Sequence, residues 1–298
     1  MNKSARHTLR TAAMACMGAL LLLAGSGCSN IAEDERLIYV EPVVAPDTTG
    51  TVAPDSLWDA PITSVPRRVL VEDHTGQHCP NCPDANNLIH EFLKTYGSRV
   101  VPVAIHSEVQ GIREPEGLGP ELGNTYYRHW NLQFKPAGLI SRVDGGDGAV
   151  LDKTLWNLAL NYVLTMETPL DIRVRASLPA TNAHTADIDV KVICTKQDAS
   201  VSGKLQVWVT EDSIIAVQDS MGTRVDRYRH DHVLRASANG TWGQDVSVSG
   251  SEDDNIREFH YTLPLGAAWK PENLTVVAFV YTGDEVVQAA QAKLKLTE

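Results

Sequence analysis

The chain has 298 residues and a formal net charge of −11. That length suits two domains. The acidic balance speaks against nucleic acid as a partner and against charge-driven adhesion to anionic lipid, and beyond the N-terminal leader no apolar run approaches a membrane-spanning length.

Lys3, Arg6 and Arg10 make a positive start, residues 12–23 form a short uncharged apolar run, and small residues lead into Cys28. This is the layout of a signal peptide over residues 1–27, with a run too short for a spanning helix. The stretch Leu23-Ala24-Gly25-Ser26-Gly27-Cys28 resembles a lipobox. Resemblance to bacterial lipoproteins implies a diacylglyceryl group on the Cys28 sulfur, cleavage before it and acylation of the new amino group. More than one chain is needed, because each buried CH₂ contributes only about 0.8 kcal/mol. Loss of the leader's three basic residues takes the formal charge from −11 to −14. The expected location is the outer membrane, held by lipid. The acidic cluster Glu33-Asp34-Glu35 reads equally as a solvated tether and as a surface-export signal, so the periplasmic face and the cell surface both stand.

Residues 28–66 read as a lipidated, Pro-rich tether, punctuated by Pro42, Pro46, Pro54, Pro61 and Pro66. Asp47-Thr48-Thr49 and Asp55-Ser56-Leu57 resemble a bacterial O-glycosylation acceptor, a pattern common by chance.

Residues 67–167 carry helix and strand signals in alternation. A strand is expected over 67–73, a turn over 74–78, and a helix over 84–96 with Leu88, Ile89, Phe92, Leu93 and Tyr96 on one face, stopped by Gly97. Residues 100–105 form a second, continuously apolar strand of the buried parallel type. A loop over 107–120, a short helix over 124–130, a strand over 139–143, a tight turn over 144–148 and a helix over 151–166 follow. Leu151, Leu155, Leu158, Tyr162 and Met166 mark that last helix's apolar face.

From residue 168 to 298 the pattern alternates. Segments 170–178, 186–195, 204–210, 256–263 and 274–281 have strand length, and 286–296 adds one more. This predicts an all-β sandwich, immunoglobulin-like in size. Cys194 falls on the inward side of its strand and reads as a buried structural thiol.

Cys16 leaves with the leader and Cys28 is modified, so Cys79 and Cys82 are the likeliest pair in an oxidising compartment. The motif Cys79-Pro80-Asn81-Cys82 stands between a strand and a helix, the context of a redox CxxC. A helix N-terminus carries unpaired N–H groups and positive partial charge, which stabilise a thiolate. Cys79 is expected to be exposed and nucleophilic, Cys82 to lie one turn inside and resolve. Pro80 suits the first turn, and protonated His74 and His78 support the Cys79 thiolate. Three alternatives stay open. A zinc site lacks a second CxxC and has only His74, His78 and His106 nearby. A permanently closed structural disulfide and a thioredoxin-like scaffold kept only for binding are the others. Pro136, in Phe134-Lys135-Pro136-Ala137, is in the right order for the cis-proline that faces the CxxC of a thioredoxin-like fold. The local sequence does not predict a cis bond; the resemblance implies it.

The run of residues 70–82, Leu-Val-Glu-Asp-His-Thr-Gly-Gln-His-Cys-Pro-Asn-Cys, resembles the opening of the outer membrane protein twenty-eight family. Residues 104–106, 136–142, 210–218 and 228–235 are similar too. The resemblance implies a lipoprotein with a thioredoxin-like domain followed by a β-rich domain, and surface-antigen, adhesin and redox roles. Asp73-His74 departs from the family's usual carboxylate and aromatic.

His230-Asp231-His232 lacks a third metal ligand and reads as hydrogen-bonded histidines. Asp144, Asp147 and Asp152 do not match a calcium loop, and core packing accounts for Trp208, Trp242 and Trp269. No cofactor and no metal is implied. The expected function is thiol–disulfide exchange on exported proteins, with Cys79 as nucleophile, Cys82 resolving, Pro136 shaping the groove and His78, His74 and His106 supporting. The rival is a non-enzymatic surface adhesin that binds its ligand through the β-sandwich.

Overall fold

The computed structural model describes residues 57–182 and 184–297. Cys28, the acidic cluster, the tripeptide at 47–49 and the tether as far as residue 56 lie outside the described residues.

The described chain is mostly β. Strand β1 (Val69–Thr75) leads through the CxxC into helix α1 (Cys82–Tyr96), which ends at Gly97 with φ 53°, and then into β2 (Val100–His106). Helix α2 (Glu121–His129), β3 (Ala137–Ile140), the two-residue β4 (Leu151–Asp152) and helix α3 (Lys153–Thr165) follow. Asp152 caps α3, its carboxylate accepting from the Thr154 N–H. Eleven further strands come next: β5 (Leu170–Leu178), β6 (Thr185–Cys194), β7 (Ser200–Glu211), β8 (Ile214–Ser220), β9 (Thr223–His230), β10 (Val233–Ser237), β11 (Gln244–Ser249), β12 (Ile256–Pro264), β13 (Leu274–Thr282), β14 (Glu285–Lys293) and β15 (Lys295–Leu296).

One sheet runs β14-β13-β7-β10-β2-β1-β3-β4, with β11 also on β7. β1 and β2 are parallel, Val69 opposite Val100, and β3 is antiparallel to β1, His74 opposite Ala137. A second sheet runs β12-β6-β5-β15, and β8 and β9 form a hairpin of their own. The main sheet crosses the expected boundary at residues 167–168. β10 bridges β2 (Val233 opposite Ala104) and β7 (Val233 opposite Glu211).

Burial organises the chain into three apolar clusters. Leu170, Ile172, Ile188, Val190, Val207, Val276 and Ala278 fill the space between the two sheets. Leu70, Val103, Tyr126, Trp208 and Phe279 pack one face of the main sheet, and Val71, Ile89, Phe92, Trp156 and Leu160 pack the other under α1 and α3. The β-rich half thus has the packed two-sheet core that its alternating segments imply.

Two expectations need correction here. The apolar face of α3 is formed by Trp156, Leu160 and Val163, while Leu155, Leu158 and Tyr162 are exposed. The deciding contact is Trp156 against Gly138, where a Cβ would come within 2.2 Å of the indole. The end of the tether, residues 57–61, is also not a free spacer. Trp58 is buried, with the Arg175 guanidinium 4.3 Å and the Lys191 ammonium 4.5 Å from its ring centre. Arg173 donates to the carbonyls of Trp58, Ala60 and Pro61, so the segment is tied to the second sheet.

Candidate functional site

Cys79 and Cys82 form a disulfide, with Cα atoms 5.4 Å apart. Cys82 is the first residue of α1 and donates its N–H to the Cys79 carbonyl, so Cys79 lies on the preceding turn. Cys82 is therefore not a turn deep in the helix, and Pro83, rather than Pro80, occupies its first turn.

The expected exposure of Cys79 is overturned: it is 0% exposed and Cys82 3%. The cover is the β8–β9 hairpin. The Asp219 N–H donates to the Gln77 carbonyl and the Met221 N–H to the Pro80 carbonyl. Gln218 Nε2 donates to the carbonyls of Gly76 and Cys79, and Gln77 Nε2 returns a bond to the Val217 carbonyl. His78, exposed at the rim, pairs through Nδ1 with Asp219 Oδ2 at 3.0 Å, and Asn86 on α1 donates to the Tyr228 hydroxyl.

The Lys135–Pro136 peptide is cis. Since His74 lies opposite Ala137, Pro136 falls one register step beyond, at the end of β1 that feeds the CxxC loop. Lys135 is buried and reaches across that end, donating to the Thr75 carbonyl, to Ser107 Oγ at 2.7 Å and to the Val109 carbonyl at 2.6 Å. Burial pulls its pKa down to about 7, with Asp73 opposing.

Behind the disulfide lies a void of about 20 Å³, room for about one water, lined by Asp73, Cys82, His106, Tyr228 and His230 among others. Burial pushes the Asp73 carboxyl up to about 7, against the pull of Lys135, and its Oδ1 has no hydrogen-bond partner among the described residues. His106 and His230 stand 5.3 Å apart, edge to face. Burial holds both imidazoles below their ordinary value, His230 at about 4. Among the described residues, His106 Nδ1 and His230 Nε2 have no hydrogen-bond partner.

His74 does not support the thiolate as expected. It is fully buried in β1, neither ring nitrogen has a hydrogen-bond partner among the described residues, and desolvation with the repulsion of Lys135 and Arg142 holds its pKa at about 3. It is neutral at physiological pH. The residues that sequence reasoning passed over are Asp73 and Lys135 as titrating groups and Gln218 and Asp219 as cover. The first had a legible signal, since Glu72, Asp73 and His74 are three ionisable residues in a central strand of the kind that is normally apolar throughout.

The remaining candidates fall elsewhere. Asp231 accepts from the Ser213 N–H and Arg229, and His232 turns off the strand at φ 59° to pair with Asp212. Asp144 accepts from the N–H groups of Gly146 and Gly148, closing its turn. Cys194 is buried beside the carbonyls of Lys196 and Ala199. Among the described residues, no three His, Cys, Asp or Glu side chains are placed to hold a metal ion, and no helix is long and apolar enough to cross a membrane.

A family model described as outer membrane protein Omp28 matches residues 123–298. No curated protein matches the chain. Among solved structures, HBP35 of Porphyromonas gingivalis is similar at 15% identity and a TM-score of 0.62, covering 78% of this chain and 76% of that one. A domain of the outer membrane lipoprotein Omp28 from Porphyromonas gingivalis is similar at 23% identity and a TM-score of 0.32, covering 44% of this chain and 92% of that one.

Proposed function

This chain belongs to the outer membrane protein Omp28 family, and we propose that it is an outer-membrane lipoprotein, anchored through Cys28, that exchanges thiols and disulfides with exported proteins through Cys79 and Cys82. The observation that carries the reading is the closed pair at the start of α1, backed by a void that Cys82 shares with the buried carboxyl of Asp73. The β1–α1–β2 unit, the antiparallel β3 entered through cis-Pro136 and the helix α3 support a thioredoxin-like reading of residues 67–167.

The chemistry is a two-electron exchange. From the dithiol form, the Cys79 thiolate attacks a substrate disulfide, making a mixed disulfide and releasing one substrate thiolate. The Cys82 thiol gives its proton to Asp73, whose pKa of about 7 suits a base at neutral pH. The Cys82 thiolate then attacks Cys79 Sγ, freeing the second substrate thiolate and closing the pair. The substrate is reduced and the CxxC oxidised; the same steps in reverse oxidise a substrate dithiol. Unmatched polar atoms and a depressed Lys135 in the same spot are the pattern of a working site rather than a packed core.

Burial of Cys79 favours a second reading, a surface-binding lipoprotein with a silent disulfide. One measurement separates them: the reduction potential of the pair, equilibrated against glutathione with mass-spectrometric readout. A value between about −120 and −270 mV places the pair among working oxidoreductases, with activity lost in Cys79→Ala. A value below about −300 mV marks a structural disulfide and sinks the exchange reading.

A further inference from the structure

Away from the disulfide a cleft of about 760 Å³ opens, sharing no lining residue with the void behind Cys82. Its volume is in the range of small-molecule sites, roughly 300–1,000 Å³. His129 and Trp130 at the end of α2, Trp242 before β11 and Tyr281 on β13 supply aromatic walls. Trp242, expected only to pack, does pack on Tyr126 but also lines this cleft, its ring 4.3 Å from that of His129. The Tyr281 hydroxyl donates to the Trp242 carbonyl at 2.6 Å, fixing two walls together.

Arg142 lies at the base, 5% exposed. Its Nε and Nη2 donate to the two carboxylate oxygens of Glu72 at 2.6 and 3.0 Å. The rings of Trp130, Trp208, Phe279 and Tyr281 surround its Cζ at 5.1 to 5.9 Å. Those bonds to Glu72 use Nε and Nη2 and leave Nη1 out, so Arg142 brings a further N–H donor to the lining of the cleft.

Charge decides the ligand class. The Arg142 cation is already matched by Glu72, and Lys204 at the rim is matched by Asp245 at 2.8 Å. Neither calls for an anion. Asp284, exposed on the turn between β13 and β14, makes no ion pair among the described residues and offers a free acceptor, beside the hydroxyls of Ser202 and Ser247. What remains is aromatic rings, the Arg142 N–H donor, an exposed carboxylate and hydroxyls. Because Asp284 is exposed, solvent screens its charge and it serves as a hydrogen-bond acceptor, so the set is complementary to an uncharged ring with apolar C–H faces and hydroxyls that both donate and accept.

We propose that this cleft binds a neutral di- or trisaccharide, one sugar ring stacking on Trp242, a hydroxyl oxygen accepting from Arg142 and a hydroxyl donating to Asp284. This does not depend on the exchange chemistry of the CxxC.

The test is ligand-observed saturation-transfer NMR and intrinsic tryptophan fluorescence on the purified full chain. The probes are cellobiose, maltose, lactose, mannobiose and N,N′-diacetylchitobiose, each to about 10 mM. N-acetylphenylalaninamide and a sulfated heparin disaccharide serve as aromatic and anionic probes. At least one neutral disaccharide should bind with Kd of about 1 mM or tighter, weakened at least about tenfold in Trp242→Ala. Asp284→Asn, on an exposed turn and so safe for folding, should weaken it roughly threefold to tenfold. Equal urea midpoints show that the variants fold as the parent does. Silence from every neutral sugar overturns the proposal, as does binding indifferent to both substitutions. Capture of the aromatic amide or the sulfated disaccharide in place of the neutral sugars also overturns it.

Discussion

Glu72, Asp73 and His74 occupy the same buried strand and meet three different fates. Glu72 is matched in both oxygens by Arg142. Asp73 has the opposite charge of Lys135 acting on it, and His74 only the like charges of Lys135 and Arg142. The consequence for Asp73 is a stability cost with a defined sign. Its folded pKa of about 7 lies above the ordinary 3.8, so the folded state holds the proton more tightly. The cost is absent below about pH 4, grows as pH rises from there to 7 and is fully present above it. Asp73→Asn should therefore leave the urea midpoint near that of the parent at pH 4 and raise stability at pH 8 by on the order of 2 kcal/mol. The same variant should prolong the mixed disulfide of the exchange reaction about tenfold at pH 7, as the resolving thiol loses its base. A parent-like pH dependence of stability would show that Asp73 is not held protonated. The histidines act in the opposite sense: His74, His106 and His230 have lowered pKa values, and their part of the stability is lost as pH falls below about 6.5. The cysteines and Pro136 were legible in the sequence because a spacing and an order mark them. Asp73 was visible only as an oddity, since its charge state depends on what surrounds β1 in space.

At the scale of elements, two features changed the picture. The β8–β9 hairpin was not read from the sequence, because its second strand, Thr-Arg-Val-Asp-Arg-Tyr-Arg-His, is largely polar and its pairing is confined to the hairpin. It covers the CxxC through a few hydrogen bonds, chiefly from Gln218 and Asp219. Removing the side-chain bonds in Gln218→Ala should speed reduction of the Cys79–Cys82 disulfide by dithiothreitol roughly threefold to tenfold, at an unchanged reduction potential, two bonds of about 1 kcal/mol or less being lost. An unchanged rate in stopped-flow alkylation would mean that the hairpin does not limit access. Helix α3 is apolar on more than one face, so spacing alone could not choose between Leu155-Leu158-Tyr162 and Trp156-Leu160-Val163; the fit of Trp156 at Gly138 chose. Leu160→Ala should cost about 2–5 kcal/mol in urea unfolding, while Leu158→Ala, at 72% exposure, should change stability by no more than about 0.5 kcal/mol.

For the whole molecule, β10 is the joint. It links β2 of the CxxC-bearing segment with β7 of the β-rich segment in one sheet, and Leu70, Ile105, Trp208 and Phe279 share one core across that joint. The full chain should therefore lose near-UV and far-UV circular dichroism in a single coincident transition. The fragment 57–167 should show no cooperative transition, because its β2 edge and half of that core are left open to water. A fragment that melts cooperatively would mean that the joint is an interface between independent units. Local pattern determined much here: the CxxC between strand and helix and the alternation of β5, β6, β12 and β13 follow from spacing within a few residues. The tertiary structure alone decided which face of α3 is buried, that Cys79 is covered, that Asp73 is held near pH 7, and that an aromatic cleft surrounds Arg142. These depend on contacts between residues tens to hundreds of positions apart, which set the burial and the local field but leave no period in the chain.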